Sequence, residues 1–294
     1  MNSIKVVKKL DFALFVLPLL VIYSVFFTYP LVGGIYYSFT DWNGVNQQLH
    51  FIGIKNFINC FNDGLFIYSI KFTLTYTVFY SVIINALGML FALLLNQKFF
   101  RGRNFIRAVI FSPYVLNAVT VGFVWAFIFG KFMISLSEAT NYFPLFGINW
   151  LTDKNIVIYS VTLVRIWVSL GYFMIIYLAG LQSIPEELVE ASRIDGASGW
   201  ERFKNITFPL IMPSITVAVF MALVSSLKIF EILITLTQGG PGTATESISY
   251  NIYREAFQKY NWGFASAKSV IFMGIILIIT YLQLRLTKNR EVEM

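Results

Sequence analysis

Cysteine and histidine are almost missing from this chain: Cys60 and His50 are the only examples in 294 residues. An internal disulfide therefore cannot form, and no Cys/His metal site can be assembled. Charge is scarce too, at 13% of residues against about 25% in an ordinary soluble domain. A Gly-x-x-x-x-Gly-Lys-Ser/Thr phosphate loop is also lacking. The pair Gly130-Lys131 is followed by Phe132 and has no upstream glycine at the required spacing, so the chain has no loop of its own with which to bind and hydrolyse ATP. With one histidine, one cysteine and scattered acids, no nucleophile or acid–base cluster stands at membrane depth, and an integral membrane enzyme finds no support.

What is present is apolar. Hydrophobic residues make up 57% of the chain and its mean hydropathy is +0.70. Runs long enough to cross about 30 Å of hydrocarbon occur near Phe12–Ser38, Tyr68–Asn96, Phe105–Gly130, Ile156–Leu181, Pro209–Thr235 and Ala265–Leu286. The pattern predicts an all-α integral membrane protein of about six transmembrane helices. A β-barrel is disfavoured, since its strands would read as short alternating segments. The first run follows Lys5, Lys8 and Lys9 as in a signal peptide, yet it is long and no small-x-small cleavage site follows, so an uncleaved first helix is expected.

Basic residues set the orientation. Lys5, Lys8 and Lys9 precede the first run, and Lys98, Arg101, Arg103 and Arg107 separate the second and third. Arg193, Arg202 and Lys204 lie between the fourth and fifth, and Arg285, Lys288 and Arg290 close the chain. The positive-inside rule places all of these on one side, with both termini cytoplasmic. Basic residues at helix ends explain the net charge of +7 without a nucleic-acid partner. The segments between runs are short and no repeat or linker divides them, so residues 1–294 read as a single transmembrane domain.

Between the fourth and fifth runs lies a polar island, about 183–208. Ser183 with Glu186 and Ser198 with Glu201 have capping-box spacing, and Gly196 suits the left-handed end of a helix. Two short helices with a sharp corner are predicted, Pro209 closing the second and opening the next apolar run. Glu190-Ala191-Ser192, three residues, Gly196, nine residues, Ile206, two residues and Pro209 resemble the Glu-Ala-Ala loop of binding-protein-dependent ABC importer permeases. Ser192 stands where alanine is usual and Phe208 where leucine is, and both keep small or apolar character.

Three further stretches strengthen the resemblance. Leu236–Ser247, which contains Gly239, Gly240, Pro241 and Gly242, together with Tyr253–Phe257, is similar to the signature of one permease of carbohydrate importers of the glycerol-phosphate, lactose and maltose type. Phe51–Phe57 and Ala179–Pro185 match the same family. The resemblance implies the fold of a type I ABC importer permease in a bacterial cytoplasmic membrane. It implies a second homologous permease, two ATPase subunits or an ATPase homodimer carrying ATP and magnesium, an extracytoplasmic solute-binding protein and a carbohydrate substrate. No cofactor is expected in the chain itself. The resemblance also assigns ATPase coupling to Glu187, Glu190, Ala191, Ser192, Asp195, Gly196, Ile206 and Pro209, with Gly196 permitting the corner and Glu190 and Asp195 offering acceptors. A self-sufficient channel or ion-driven transporter would have no use for such an elbow.

Charges within apolar runs cost at least about 2.5 kcal/mol at the bilayer centre and so tend to face a protein interior or aqueous path. Arg165 lies roughly 13 Å into the fourth run, deep enough to need an acidic or carbonyl partner here or in another subunit. Lys228 and Glu231 are three apart, on one face if helical, and either pair structurally or line the path. Trp125, Trp167 and Tyr172 join Arg165, Lys228 and Glu231 as candidates for the inner path, since aromatic faces stack on sugar rings.

Overall fold

The computed structural model describes residues 2–46, 48–97, 102–140 and 147–288. Lys98, Arg101 and Arg290, three of the residues used for orientation, lie outside them. Among the described residues the chain is helical, and Thr40 and Phe51 form an isolated antiparallel bridge. The elements in order are α1 Asn2–Tyr23, α2 Tyr29–Tyr37, α3 Lys55–Asn62, α4 Gly64–Asn96, α5 Arg103–Phe111, α6 Ala118–Phe127 and α7 Met133–Thr140. They continue with α8 Val157–Gln182, α9 Glu186–Ile194, α10 Gly199–Arg202, α11 Phe208–Leu210, α12 Met212–Leu227, α13 Glu231–Leu236, α14 Ile248–Tyr253 and α15 Trp262–Lys288. Single π turns join α1 to α2, α6 to α7 and α10 to α11 without ending the helix.

Among the described residues five helices are long and apolar enough to cross a membrane: Leu14–Tyr37, Gly64–Asn96, Ala118–Ala139, Val157–Gln182 and Trp262–Thr287. The pair Gly199–Leu210 and Met212–Leu227, bent by 70°, counts as a sixth if taken as one span. Two expected runs are corrected. The third does not run from Phe105 to Gly130, because α5 ends in a 3₁₀ turn, Leu116 is extended, and Asn117 caps a new helix by accepting from the Val119 amide at 2.9 Å. That helix continues past Gly130 as far as Thr140, so Lys131 sits inside it.

The fifth run is broken twice. Pro209 does not close a helix; it sits in α11, which continues the helix begun at Gly199, and the break falls at Ile211. Pro213, four residues after Pro209, has no N–H to offer the Pro209 carbonyl, which weakens the chain there. The second break follows Leu227, where Lys228 and Phe230 leave helical geometry before α13 begins.

By contact density the described chain forms two compact units, 2–64 with 252–273 and 65–251 with 274–288. In the larger, Tyr76, Tyr80 and Ile84 of α4, Val161, Val164 and Met174 of α8, Ala218 and Ala222 of α12, and Ile232 and Leu233 of α13 are buried together. Small residues let these helices approach, as Gly122 does against Thr235 and Gly171 against the backbone of Phe111. In the smaller unit the Lys268 ammonium is wholly buried between Asp63 at 2.8 Å and Glu255 at 2.9 Å.

Candidate coupling elbow and membrane path

The elbow begins where α8 stops. Ser183 is still helical, and its hydroxyl donates to the Gly180 carbonyl at 2.9 Å. The expected Ser183–Glu186 capping box therefore does not form, and Pro185 stands at the N-cap of α9 without a side-chain bond. Glu186 and Glu187 occupy the first turn of α9 and Arg193 the last, each sign favoured by the helix dipole.

The corner that follows is closed by two backbone bonds. Gly196 takes φ +77°, its amide donates to Arg193 at 3.2 Å, and the Ala197 amide donates to Ser192 at 3.0 Å. This double bond pattern is a Schellman turn, whose left-handed residue favours glycine. Two residues on, the predicted Ser198–Glu201 box is present: the Ser198 amide donates to Glu201 Oε2 at 2.8 Å and the Glu201 amide to Ser198 Oγ at 3.3 Å. The bond from the Ser198 amide, joined by that with its hydroxyl, holds the Glu201 carboxyl below its ordinary range.

These local bonds set what the elbow displays. Glu187, Glu190, Ala191, Asp195 and Gly196 are exposed, while Ser192 is turned inward and donates to the Val189 carbonyl at 2.7 Å. Inward packing is why a small residue is required there. Ile206 and Pro209 are half-buried in the following helix. Two large apolar side chains stand out into solvent, Ile194 at 86% and Trp200 at 70% exposure. Trp200 stacks on Phe203 with centroids 5.7 Å apart, extending the apolar surface along the helix.

The path candidates do not converge as one cluster. The Arg165 guanidinium lies over the Tyr80 ring at 6.0 Å, and its Nε is buried without an acceptor. Among the described residues no carboxylate lies within 4.0 Å of it, so an aromatic face stands where an acidic or carbonyl partner is expected. Trp167 packs edge-on against Trp125 at 5.6 Å, and Tyr172 stacks on Tyr114 at 4.7 Å. Lys228 and Glu231 are both exposed and do not share a helical face, because the helix ends between them. The spacing argument for that pair is thus overturned.

Two features escaped the sequence reading. One is the Lys268 cluster; a lysine six positions inside the last apolar helix was available to the same rule that picked out Arg165. The other is a row of hydroxyls on α4: among the described residues Tyr76, Thr77 and Ser81 are buried with no protein partner, a pattern that calls for water or ligand.

Residues 84–291 match the family described as binding-protein-dependent transport system inner membrane component. The chain belongs to this family. It is accordingly a multi-pass permease component of the cytoplasmic membrane. It is 43% identical over 281 residues to the probable starch degradation products transport system permease protein of Thermoanaerobacterium thermosulfurigenes, covering 96% of this chain and 95% of that one. It is 31% identical over 296 residues to the sn-glycerol-3-phosphate transport system permease protein of Agrobacterium fabrum, covering 99% of each. Its fold is that of a chain in the crystal structure of a bacterial ABC transporter involved in the import of the acidic polysaccharide alginate. There the TM-score is 0.83 at 25% identity, over 98% of this chain and 99% of that one.

Proposed function

We propose that this permease is one half of the membrane path of an ATP-driven importer for a carbohydrate, an oligosaccharide in the first instance. Its partners are a second homologous permease, two ATPase subunits or an ATPase homodimer, and an extracytoplasmic solute-binding protein. ATP and magnesium bind on the ATPase subunits, and no hydrolysis takes place in this chain. Both termini face the cytoplasm, as the distribution of Lys and Arg favours. The observation that carries the reading is the elbow itself: Ile194 and Trp200 are displayed on a corner held by a Schellman turn and a capping box. Exposed apolar side chains on a rigid corner are what a cleft on another subunit would bury.

Coupling follows from covalent continuity. The helix from Gly199 to Leu210 leads into α12 across the 70° bend, so displacement of the elbow by closing ATPase subunits is passed to the fifth span. Glu187, Glu190 and Asp195, exposed around the corner, offer acceptors to donors on the ATPase. The inner path is assigned to the larger unit, where Arg165, Trp167, the Tyr80 ring and the unpartnered hydroxyl of Tyr76 supply polar and aromatic surface. Lys228 and Glu231, exposed at the break after α12, belong to this assignment as separate groups.

The test is co-purification from the native membrane, comparing wild type with Ile194→Glu and Trp200→Ala. Loss of the ATPase from the variants, with the second permease retained, supports the elbow's role. A wild-type chain that purifies alone and carries solute across vesicles without ATP would overturn the reading. For the substrate, ATPase activity in proteoliposomes is measured with the recovered binding protein and a series of oligosaccharides. An anionic carbohydrate is the second reading, favoured by the buried Arg165 Nε, which has no acceptor among the described residues, and Arg165→Gln should then impair uptake of acidic sugars alone.

A further inference from the structure

Helix α3 divides its circumference three ways. Taking about 100° per residue, Ile54, Ile58 and Phe61 fall within an arc of roughly 60°, and Asn62, Lys55 and Asn59 occupy the next arc of similar width. All six are exposed, Ile54 at 63%, Ile58 at 53% and Phe61 at 68%. The remaining arc holds Asn56 and Cys60, both buried, and half-buried Phe57. The helix thus turns polar Asn56 inward and its largest aliphatic and aromatic groups outward, beside a separate polar face.

Its depth is fixed by its attachments. Asn56 Nδ2 donates to the Ser38 carbonyl at 3.0 Å and the Thr40 carbonyl at 2.8 Å, just past the end of the first span. Asp63, at the other end of α3, holds Lys268 in the early turns of α15. At the same level Trp42 packs against Trp262 with ring centroids 5.8 Å apart, and the Gly263 amide donates to the Trp42 carbonyl at 2.8 Å. Paired tryptophans at two span ends mark the headgroup level of a bilayer. The first span, in the same unit, has none of its apolar window buried within the chain, so a lipid-facing surface leads directly up to α3.

We propose that α3 is an interfacial helix, with Ile54, Ile58 and Phe61 immersed in the outer ends of the acyl chains and Lys55, Asn59 and Asn62 in the water layer. Three arcs facing protein, lipid and water are what a helix lying in the interface plane requires. The occupant of the apolar face is the lipid surface itself. The Lys268 cluster helps to position it, since it ties Asp63, at the end of α3 away from Asn56, to α15.

The proposal is tested by spin labels on single cysteines introduced at 54, 55, 58, 59, 61 and 62 of the full chain, purified with its partner subunits into lipid nanodiscs. Native Cys60 is buried and its thiol is pushed up to about 12, so maleimide at neutral pH leaves it unlabelled. Collision with oxygen should exceed collision with a water-soluble nickel chelate at 54, 58 and 61, and the ratio should invert at 55, 59 and 62. Lys268→Met should flatten that alternation. Chelate accessibility at all six positions overturns the proposal, and so does shielding of 54, 58 and 61 from both reagents, which would place a protein on the face. None of these outcomes depends on whether the complex transports sugar.

Discussion

The elbow and the cluster around Lys268 are both polar regions in an apolar chain, and they handle charge in opposite ways. At the elbow Glu187, Glu190 and Asp195 are exposed, and large apolar groups stand out beside them. In the cluster Lys268 is wholly buried, Glu255 nearly so, and Lys259 adds a second cation to Glu255 at 3.0 Å. Exposed charge costs little and is available to a partner; buried charge holds its own unit together and is expensive to disturb. The first arrangement suits a part that must dock and release, the second a part that must not move.

Substitution at the two sites should separate them most strongly. Lys268→Met takes away the buried cation that Asp63 and Glu255 share and leaves Glu255, nearly buried, with only the half-exposed Lys259, and a loss of about 3 kcal/mol is expected in thermal unfolding of the purified protein. Lys204→Met, at the exposed elbow, should shift stability by no more than about 0.5 kcal/mol. Removing all three charges with Lys268→Met, Glu255→Leu and Asp63→Leu should recover much of the loss, whereas equal damage from the triple variant would show that packing around the cluster, not charge balance, is what matters.

Within the elbow the corner should outweigh the caps. Gly196→Ala forces a Cβ into left-handed geometry at a cost of about 1–2 kcal/mol, read as faster hydrogen exchange at Ala197 and weaker ATPase retention. Gly196→Asn should be milder. Ser198→Ala removes a formed capping box at a cost of about 1 kcal/mol, while Ser183→Ala removes none and should leave exchange at the start of α9 unchanged.

That pair of serines shows how far the sequence could be read. Both open a Ser-x-x-Glu string, but Ser183 is claimed by the last turn of α8, and Pro185 takes the N-cap of α9; no local pattern ranks these claims. Gly196 and the Ser198 box were legible because their bonds are made within a few residues. The bend of the fifth span was not, since Pro209 and Pro213 are both plausible break points and the choice depends on how the helix packs. Lys228 and Glu231 failed for a related reason: i, i+3 spacing means proximity only if the helix continues, and here it stops. The count of about six spans, met by five helices and one bent pair, and the place of the polar island between the fourth and fifth runs came from composition. Lys268 itself could have been picked out as Arg165 was; what was not legible is the cluster, since its partners Asp63 and Glu255 lie in other segments.

The smallest effect is the most directional. The Glu201 carboxyl is held below its ordinary value of 4.5 by bonds that are stronger to the carboxylate than to the neutral acid. A depressed carboxyl contributes its stability above the unfolded value, and that contribution is lost as pH falls through the lower, folded value. Acidification below about 4.5 should therefore loosen the start of α10 first, seen as increased exchange at the Ser198 amide after correction for the intrinsic rate. The group is fully exposed, so the change should be slight and should weaken further in high salt. Glu201→Gln keeps the side-chain oxygen but not its charge, and its elbow should show no acid-dependent loosening. If that variant loosened as wild type does, other carboxylates of the elbow would be responsible, and the contrast between a docking surface of independent charges and a buried cluster of coupled ones would have to be redrawn.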